Sequence, residues 1–284
     1  ASSDDQPGSN RPNVVFILVD NVGWGDIGCY GGVVPTPRID ALAGQGMRFK
    51  NYNVEAQCTP TRSAILSGRL PIRTGNCSVP LPGQGDYGLV GWEYTLGELF
   101  SDAGYATGAF GKWHVGDKEG RLPTDQGFDE WYGIKNTSDE SAYSTYPLFA
   151  ESGVPVPKIW EGVKGSPVSA VADFNLETRA RMDEQIAART AAFITRNAQA
   201  NKPFFTYVCF TWRTWPCSPI PTSPASGAVR LLRHPWSSSR PADRRSRSPS
   251  GERPITHLAR VRGLEPLTRR LGADMATSAH PESA

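Results

Sequence analysis

Residues 13–19 read NVVFILV and are followed directly by Asp20 and Asn21, and this stretch decides the fold class of the chain. A continuous apolar run rich in β-branched residues is typical of a strand that is covered on both faces of a parallel sheet. Ligand sites in open α/β sheets lie beyond the carboxyl ends of the strands, so the polar pair predicts a site. Asp, Asn and Gly also form ordinary turns, and a turn is an equally good interpretation of DNVGWGD.

Strand and helix patterns alternate along the rest of the first 210 residues. Apolar residues at helical spacing predict helices within residues 36–49, over residues 95–103 with Gly104 as the stop, and over residues 178–200. Short apolar runs predict strands around residues 48–53, 105–110 and 202–210. This alternation predicts an α/β fold with a mainly parallel central sheet between helical layers.

Residues 58–69, CTPTRSAILSGR, predict a helix whose first turn can bind an anion. Proline fixes its own φ and suits the first turn of a helix, so Pro60 places Cys58 at a helix N-terminus. Backbone donors and the helix dipole favour oxyanions there, and Arg62 can reach back over the same turn. The alternative is a buried structural cysteine at a helix start, because free cysteine is among the most buried residue types.

Residues 111–117, GKWHVGD, put Lys112 and His114 at the end of another predicted strand. A lysine in that position can bind an anion, and a histidine can act as a base. Taken without context, a loop lysine is more often solvated and a lone histidine more often structural. Trp113 lies between the two and is predicted to pack in the core, as large aromatic side chains usually do.

These segments resemble, in chain order, the motifs of the type I sulfatases. CTPTR is similar to the family's activation motif, with Thr61 where serine is commoner. DNVGWGD resembles its first metal-binding segment, GKWHVGD the segment that supplies a lysine and a histidine, and LPTDQGFDEWYGI at residues 122–134 the stretch beyond it. The resemblance covers residues 11–210 and implies the fold of the alkaline phosphatase superfamily, a mixed central sheet with helices on both faces, here incomplete.

The resemblance implies hydrolysis of a small sulfate ester by a formylglycine, which a formylglycine-generating or sulfatase-maturing enzyme makes from the cysteine. In that chemistry one hydroxyl of the aldehyde hydrate attacks sulfur and displaces the alcohol, leaving a covalent sulfate. The second hydroxyl then loses its proton, and sulfate is expelled as the aldehyde re-forms. The implied catalytic residues are Cys58, Arg62, Lys112 and His114, and Lys112 and Thr137 are implied to bind the substrate. Whether the alcohol is an aryl group, a sugar or a lipid stays open.

The resemblance also implies a divalent cation, Ca²⁺ in the family, held by Asp20, Asn21 and the modified Cys58. Many relatives carry two aspartates where this chain has Asp20 and Asn21. Asn21 keeps an oxygen ligand but removes one negative charge, so a different metal preference is conceivable.

Composition and length exclude several classes of protein. A chain of 284 residues can form one large α/β domain or two small ones, and a net charge of +2 does not indicate a nucleic-acid partner. Five irregularly spaced cysteines do not match a disulfide framework or a zinc site, and no stretch is apolar enough to span a membrane. The polar residues 1–10 predict a flexible N-terminus of an exported chain, periplasmic or secreted, with a cytoplasmic location still open.

Residues 211–284 have a different composition from the residues before them. Residues 1–210 contain 18 Lys and Arg and 23 Asp and Glu, whereas residues 211–284 contain 12 Arg, no Lys and 5 acidic residues. With 10 prolines and 11 serines, these 74 residues predict a disordered basic tail. Relatives place a leaving-group histidine, an Asp-Asn metal pair and another lysine in this part, whereas here Thr214 stands near the histidine position and no Asp-Asn pair follows.

Two hypotheses concern this tail. Codons for residues 216–225 can encode VLPHPDFAG in another frame, which resembles the family's next segment and indicates a frame shift near residue 211. The chain is then a sulfatase with an incomplete, impaired site. The alternative is a catalytically silent fragment whose Arg-rich tail binds polyanions.

Overall fold

The computed structural model describes residues 11–80 and 86–211. The strands are β1 (Val14–Val19), β2 (Ala106–Lys112), β3 (Glu130–Ile134), β4 (Lys158–Val163), β5 (Ser169–Asp173) and β6 (Phe204–Phe210). The helices are α1 (Pro37–Gln45), α2 (Cys58–Ser67), α3 (Pro71–Thr74), α4 (Leu96–Asp102) and α5 (Leu176–Gln199). Short 3₁₀ segments occur at Trp24–Asp26, Gly28–Tyr30, Pro123–Asp125 and Ser138–Thr145. The predictions for residues 1–10 and for the tail beyond residue 211 lie outside the described residues.

The six strands form one sheet in the order β1-β6-β2-β3-β4-β5. The first four strands of this order run parallel, and β4 and β5 are antiparallel additions at one edge. The prediction of a mixed, mainly parallel sheet is therefore confirmed, although β3, β4 and β5 were not among the predicted strands. None of the helices in the described ranges is long and apolar enough to cross a membrane.

Helices cover both faces of the sheet, as predicted. One face packs against α2 and α4 through a core that includes Leu66, Phe128, Trp131, Phe205 and Tyr207. The other face packs against α5 through a core that includes Phe110, Ile159, Met182, Ile186 and Phe193. Because side chains alternate along a strand, successive residues of β6 contribute to opposite cores.

Strand β1 is less buried than its sequence predicts. Val15 and Ile17 are 45% and 55% exposed, whereas Val14, Phe16 and Leu18 pack against the core on the α2 side. The reason is its position at the sheet edge, since α5 packs on β2, β3 and β6. The prediction that residues 13–19 are covered on both faces is wrong for the described part of the chain.

The segment after β1 also departs from prediction. Helix α1 forms as expected, but none of its residues is buried, and Ile39 and Leu42 are 48% and 68% exposed. The strand predicted around residues 48–53 does not form. Within the described residues this stretch pairs with no strand, and its apolar side chains Phe49 and Tyr52 are exposed.

The elements that carry the site match their sequence signals more closely. The Thr95 hydroxyl accepts a hydrogen bond from the Glu98 backbone N–H, and the Glu98 carboxylate accepts one from the Thr95 N–H, which starts α4 with a capping box. Gly104 follows the helix with φ of +80°. Strand β2 then extends two residues beyond its prediction, so that Lys112 is its last residue.

Candidate active site

The predicted site residues gather where the parallel strands end. Asp20 follows β1, Lys112 ends β2 and Thr137 lies three residues after β3. These strands run parallel, so their carboxyl ends share one edge of the sheet. Helix α2 begins at this edge, because the Thr59 hydroxyl near its N-terminus donates a 2.9 Å hydrogen bond to the backbone carbonyl of His114.

Asp20 is the centre of a buried cluster of charges. Lys112 Nζ lies 2.5 Å from Asp20 Oδ2, and Arg62 Nη2 lies 3.4 Å from the same oxygen. Burial alone would raise the pKa of Asp20, but the Lys112 and Arg62 cations outweigh it and hold that pKa below its usual value. The carboxylate is therefore ionised, and the three side chains together carry one net positive charge.

Arg62 is fixed from several sides. Its Nη1 donates a 2.6 Å hydrogen bond to the carbonyl oxygen of Lys112. Tyr207 and Cys209, both buried on β6, lie close to the guanidinium. The sequence predicts that Arg62 can reach back towards Cys58, but among the described residues no hydrogen bond joins the two. Arg62 instead links α2 to the ends of β1 and β2.

The close fit of β2 and β6 next to this cluster depends on Gly111. Its φ is +109°, and a Cβ atom there would lie 1.9 Å from the carbonyl oxygen of Cys209. Only glycine adopts this conformation at little cost and leaves room for the neighbouring strand. Lys112 follows immediately, so the direction of its side chain is set by this contact.

His114 is held in an uncommon backbone conformation. Its φ is +60°, its N–H donates a 2.8 Å hydrogen bond to the carbonyl of Lys135, and its carbonyl accepts from Thr59. Burial, together with the cations Lys112 and Arg62, holds the pKa of His114 well below its usual value. The imidazole is therefore neutral at pH 7. Its buried Nδ1 has no hydrogen-bond partner in residues 11–80 and 86–211.

The loop after β3 supplies a hydroxyl and two acids. Thr137 Oγ1 lies 3.4 Å from Lys112 Nζ. Asp139 and Glu140 also face Lys112, and burial raises the pKa of both carboxyls, that of Glu140 to about 7. The sequence interpretation did not single out these acids, because nothing in the string GIKNTSDE distinguishes them from solvated loop residues.

Cys58 is the first residue of α2 and is half-buried, with Gln57 as the N-cap in an extended conformation. The predicted position at a helix N-terminus is confirmed. Asn21 has φ of +58° and is exposed. Within the ranges 11–80 and 86–211, neither the Cys58 nor the Asn21 side chain makes a hydrogen bond to the Asp20 cluster.

Comparison with known proteins identifies the family of this fold and site. A family model described as Sulfatase matches residues 12–212. The chain belongs to the sulfatase family. Human N-acetylgalactosamine-6-sulfatase is 36% identical over 221 residues, which cover 73% of this chain and 40% of the relative. Human arylsulfatase A is 35% identical over 204 residues, covering 69% of this chain and 40% of the relative.

A solved sulfatase structure agrees with this assignment. The PsFucS1 sulfatase from Pseudoalteromonas sp. superposes with a TM-score of 0.69 at 31% identity, covering 75% of this chain and 46% of that chain. The predicted family and fold are thus confirmed. This sulfatase chain spans less than half the length of the relatives it matches.

The divalent cation implied by the family does not fit the residues of this sulfatase chain. Ca²⁺ takes six to eight oxygen ligands. Here the Asp20 carboxylate already contacts Lys112 and Arg62. The Asn21 side chain is exposed and makes no hydrogen bond to this cluster within the described residues. Across the described ranges, no three His, Cys, Asp or Glu side chains are grouped as they would be around a metal ion. With Lys112 and Arg62 both on its carboxylate, the surroundings of Asp20 are too positive for a divalent ion.

Two residues next to the Asp20 cluster were not predicted from the sequence. Tyr207 and Cys209 lie close to the Arg62 guanidinium, and burial raises the pKa of both side chains. A signal for them exists. In FFTYVCF the alternate residues Phe205, Tyr207 and Cys209 share one face of the strand. Tyr207 and Cys209 carry a hydroxyl and a thiol on a face that is otherwise apolar.

Proposed function

We propose that this chain carries the N-terminal half-site of a sulfuric ester hydrolase that uses a formylglycine derived from Cys58. The observation that supports this is the cluster at the sheet edge, where Lys112 and Arg62 give a buried net positive charge beside the α2 N-terminus. A sulfate ester needs positive charge over its oxygens and a nucleophile at the sulfur. The half-site offers both.

A formylglycine at position 58 supplies an aldehyde hydrate as the nucleophile. The start of α2 fits that group, because its backbone donors and dipole favour a developing oxyanion. Lys112 and Arg62 bind and orient the sulfuryl oxygens, with Thr137 as a neutral donor. His114 accepts a proton at Nδ1, since its imidazole is neutral and that nitrogen is not used within the described residues.

The proposed activity is low. The resemblance implies that the proton donor for the departing alcohol and a second pair of metal ligands lie beyond residue 211, where this sequence has Thr214 near the histidine position and no Asp-Asn pair. The divalent cation is not part of the proposal, because the residues present do not fit it. The proposed catalysis therefore relies on Lys112, Arg62 and His114, which position the sulfate group and accept a proton.

The test is turnover of 4-nitrophenyl sulfate by the full chain, made in a host that contains a formylglycine-generating enzyme. We expect slow release of nitrophenol that is abolished by Cys58→Ala and retained by Cys77→Ala, which removes an exposed cysteine elsewhere. Mass spectrometry of the peptide containing residue 58 should show one oxygen in place of sulfur and two hydrogens. An unmodified cysteine, or equal turnover by Cys58→Ala, would contradict the proposal.

The composition of residues 211–284 favours a second candidate, a polyanion-binding tail on a silent fragment. Twelve arginines without lysine give this stretch the charge for phosphate or sulfate backbones. We expect binding to heparin that weakens steeply with salt and is lost when residues 212–284 are deleted. Retention of binding by the shortened chain would exclude the tail as its cause.

A further inference from the structure

The Asp20 carboxylate is paired with two cationic side chains, those of Lys112 and Arg62. Lys112 and Arg62 contact the same oxygen, Oδ2, at 2.5 and 3.4 Å. The Lys112 and Arg62 side chains are 1% exposed and that of Asp20 is 7% exposed. In such surroundings ion pairs are little screened by water or salt. The charge of Asp20 is therefore already compensated from within.

A divalent cation at Asp20 would disturb this balance. With one carboxylate against a divalent ion, an ammonium and a guanidinium, the buried group would carry three net positive charges. If Lys112 moved away instead, its ammonium would lose its closest counter-charge in the interior. Breaking a buried pair in this way leaves an uncompensated buried charge, which is strongly destabilising.

Two further acids in the described ranges, Asp139 and Glu140, lie in electrostatic range of Lys112, and burial disfavours the charged form of both. Asp139 is a further carboxylate in electrostatic range of Lys112, and its Oδ1 is buried without a hydrogen-bond partner in the described ranges. It interacts with Arg179 as well, and repulsion between the Asp139 and Asp20 carboxylates adds to the burial that favours its neutral form. Asp139 and Asp20 do not form part of a metal-like group of acidic, His or Cys side chains.

We propose that Lys112 is the internal counter-ion of Asp20 in this chain and that it keeps divalent cations away from the site. The ammonium then takes the place next to the carboxylate that a metal ion would need. This inference concerns binding at Asp20 and does not depend on the proposed hydrolase activity, since it holds whether or not Cys58 is modified.

The experiment is calcium titration of the full chain by isothermal titration calorimetry, with the melting temperature measured alongside. For the wild type we expect no saturable binding up to about 1 mM calcium, the weakest range of calcium sites in proteins. Lys112→Met removes the ammonium and keeps the length of the side chain. It should create one saturable site with a dissociation constant of about 0.1 mM or below, at least tenfold tighter than that limit, and adding Asp20→Asn should abolish the site.

Lys118→Met is the matched control. Lys118 pairs with Asp86 on the surface and does not contact Asp20, so this variant should behave as the wild type. Saturable submillimolar binding by the wild type that is lost in Asp20→Asn would overturn the proposal, as would a folded Lys112→Met variant that does not bind calcium. If Lys112→Met is unfolded without metal, calcium should restore its near-UV circular dichroism, and failure to do so counts against the proposal.

Discussion

Thr59, the second residue of α2, donates its hydroxyl hydrogen to the backbone carbonyl of His114 over 2.9 Å, and both residues are 1% exposed. His114 has φ of +60°, a conformation that costs a non-glycine residue about 1 to 3 kcal/mol. Its backbone N–H is bound to the carbonyl of Lys135 on the opposite side. The strained turn is therefore fixed by one hydrogen bond from α2 and another from the loop after β3.

Replacement of Thr59 by valine tests this contact. Valine keeps the shape but removes the donor, leaving the buried His114 carbonyl without its partner, and we expect a loss of about 1 to 3 kcal/mol in the free energy of unfolding. Urea denaturation of the two chains measures it. Thr59→Ser is the control, because it keeps the hydroxyl and removes only a methyl group. A valine variant that is no less stable than the serine variant would show that the hydrogen bond has no such role.

Glu140 predicts a pH dependence of stability. Burial raises its pKa from the usual 4.5 to about 7, although a 3.0 Å hydrogen bond from Asn136 opposes the shift. The folded chain then binds this proton more tightly than the unfolded chain. Its contribution is fully present below pH of about 4.5 and is lost as the pH rises through about 7.

Glu140→Gln should therefore stabilise the fold at pH 8 by roughly 1 to 3 kcal/mol and change it little at pH 4.5, since glutamine resembles the protonated acid. Urea denaturation at the two pH values gives the difference. Glu151→Gln, a change at an exposed glutamate, should leave the pH profile as it is. A gain that is equal at both pH values would mean that the carboxyl of Glu140 is not the titrating group.

Local sequence signals predict most of the residues that lie at the sheet edge carrying the candidate site. The apolar run before Asp20, the proline in the first turn of α2 and the strand before Lys112 each place one residue at the end of one element. Which side chains then meet depends on strand order. Asp20 and Lys112 are 92 residues apart, and the strands before them lie on either side of β6. The local sequence around neither residue shows that β6 lies between these strands.

Sequence patterns were less informative for the exposed elements α1 and β5. Ile39 and Leu42 have the spacing of a helix that faces a core, yet neither is buried. Periodicity predicts which face of a helix is apolar but not whether another element packs on it. The β5 strand was missed for a related reason, because all five of its residues are exposed and it lacks the apolar alternation of a half-buried strand.

Gly111 gives the sharpest test of how the site is built. A Cβ atom there would overlap the carbonyl oxygen of Cys209 at 1.9 Å, and φ of +109° already disfavours any side chain. We expect Gly111→Ala to lower the free energy of unfolding by more than about 3 kcal/mol, because both the backbone strain and the strand spacing must change. Gly165→Ala is the matched control. Gly165 has φ of +81° but has no atom within 4 Å of the added Cβ, so only strain of about 1 kcal/mol applies. Equal losses in the two variants, measured by urea denaturation, would show that β2 and β6 can separate without cost and that Gly111 does not fix Lys112.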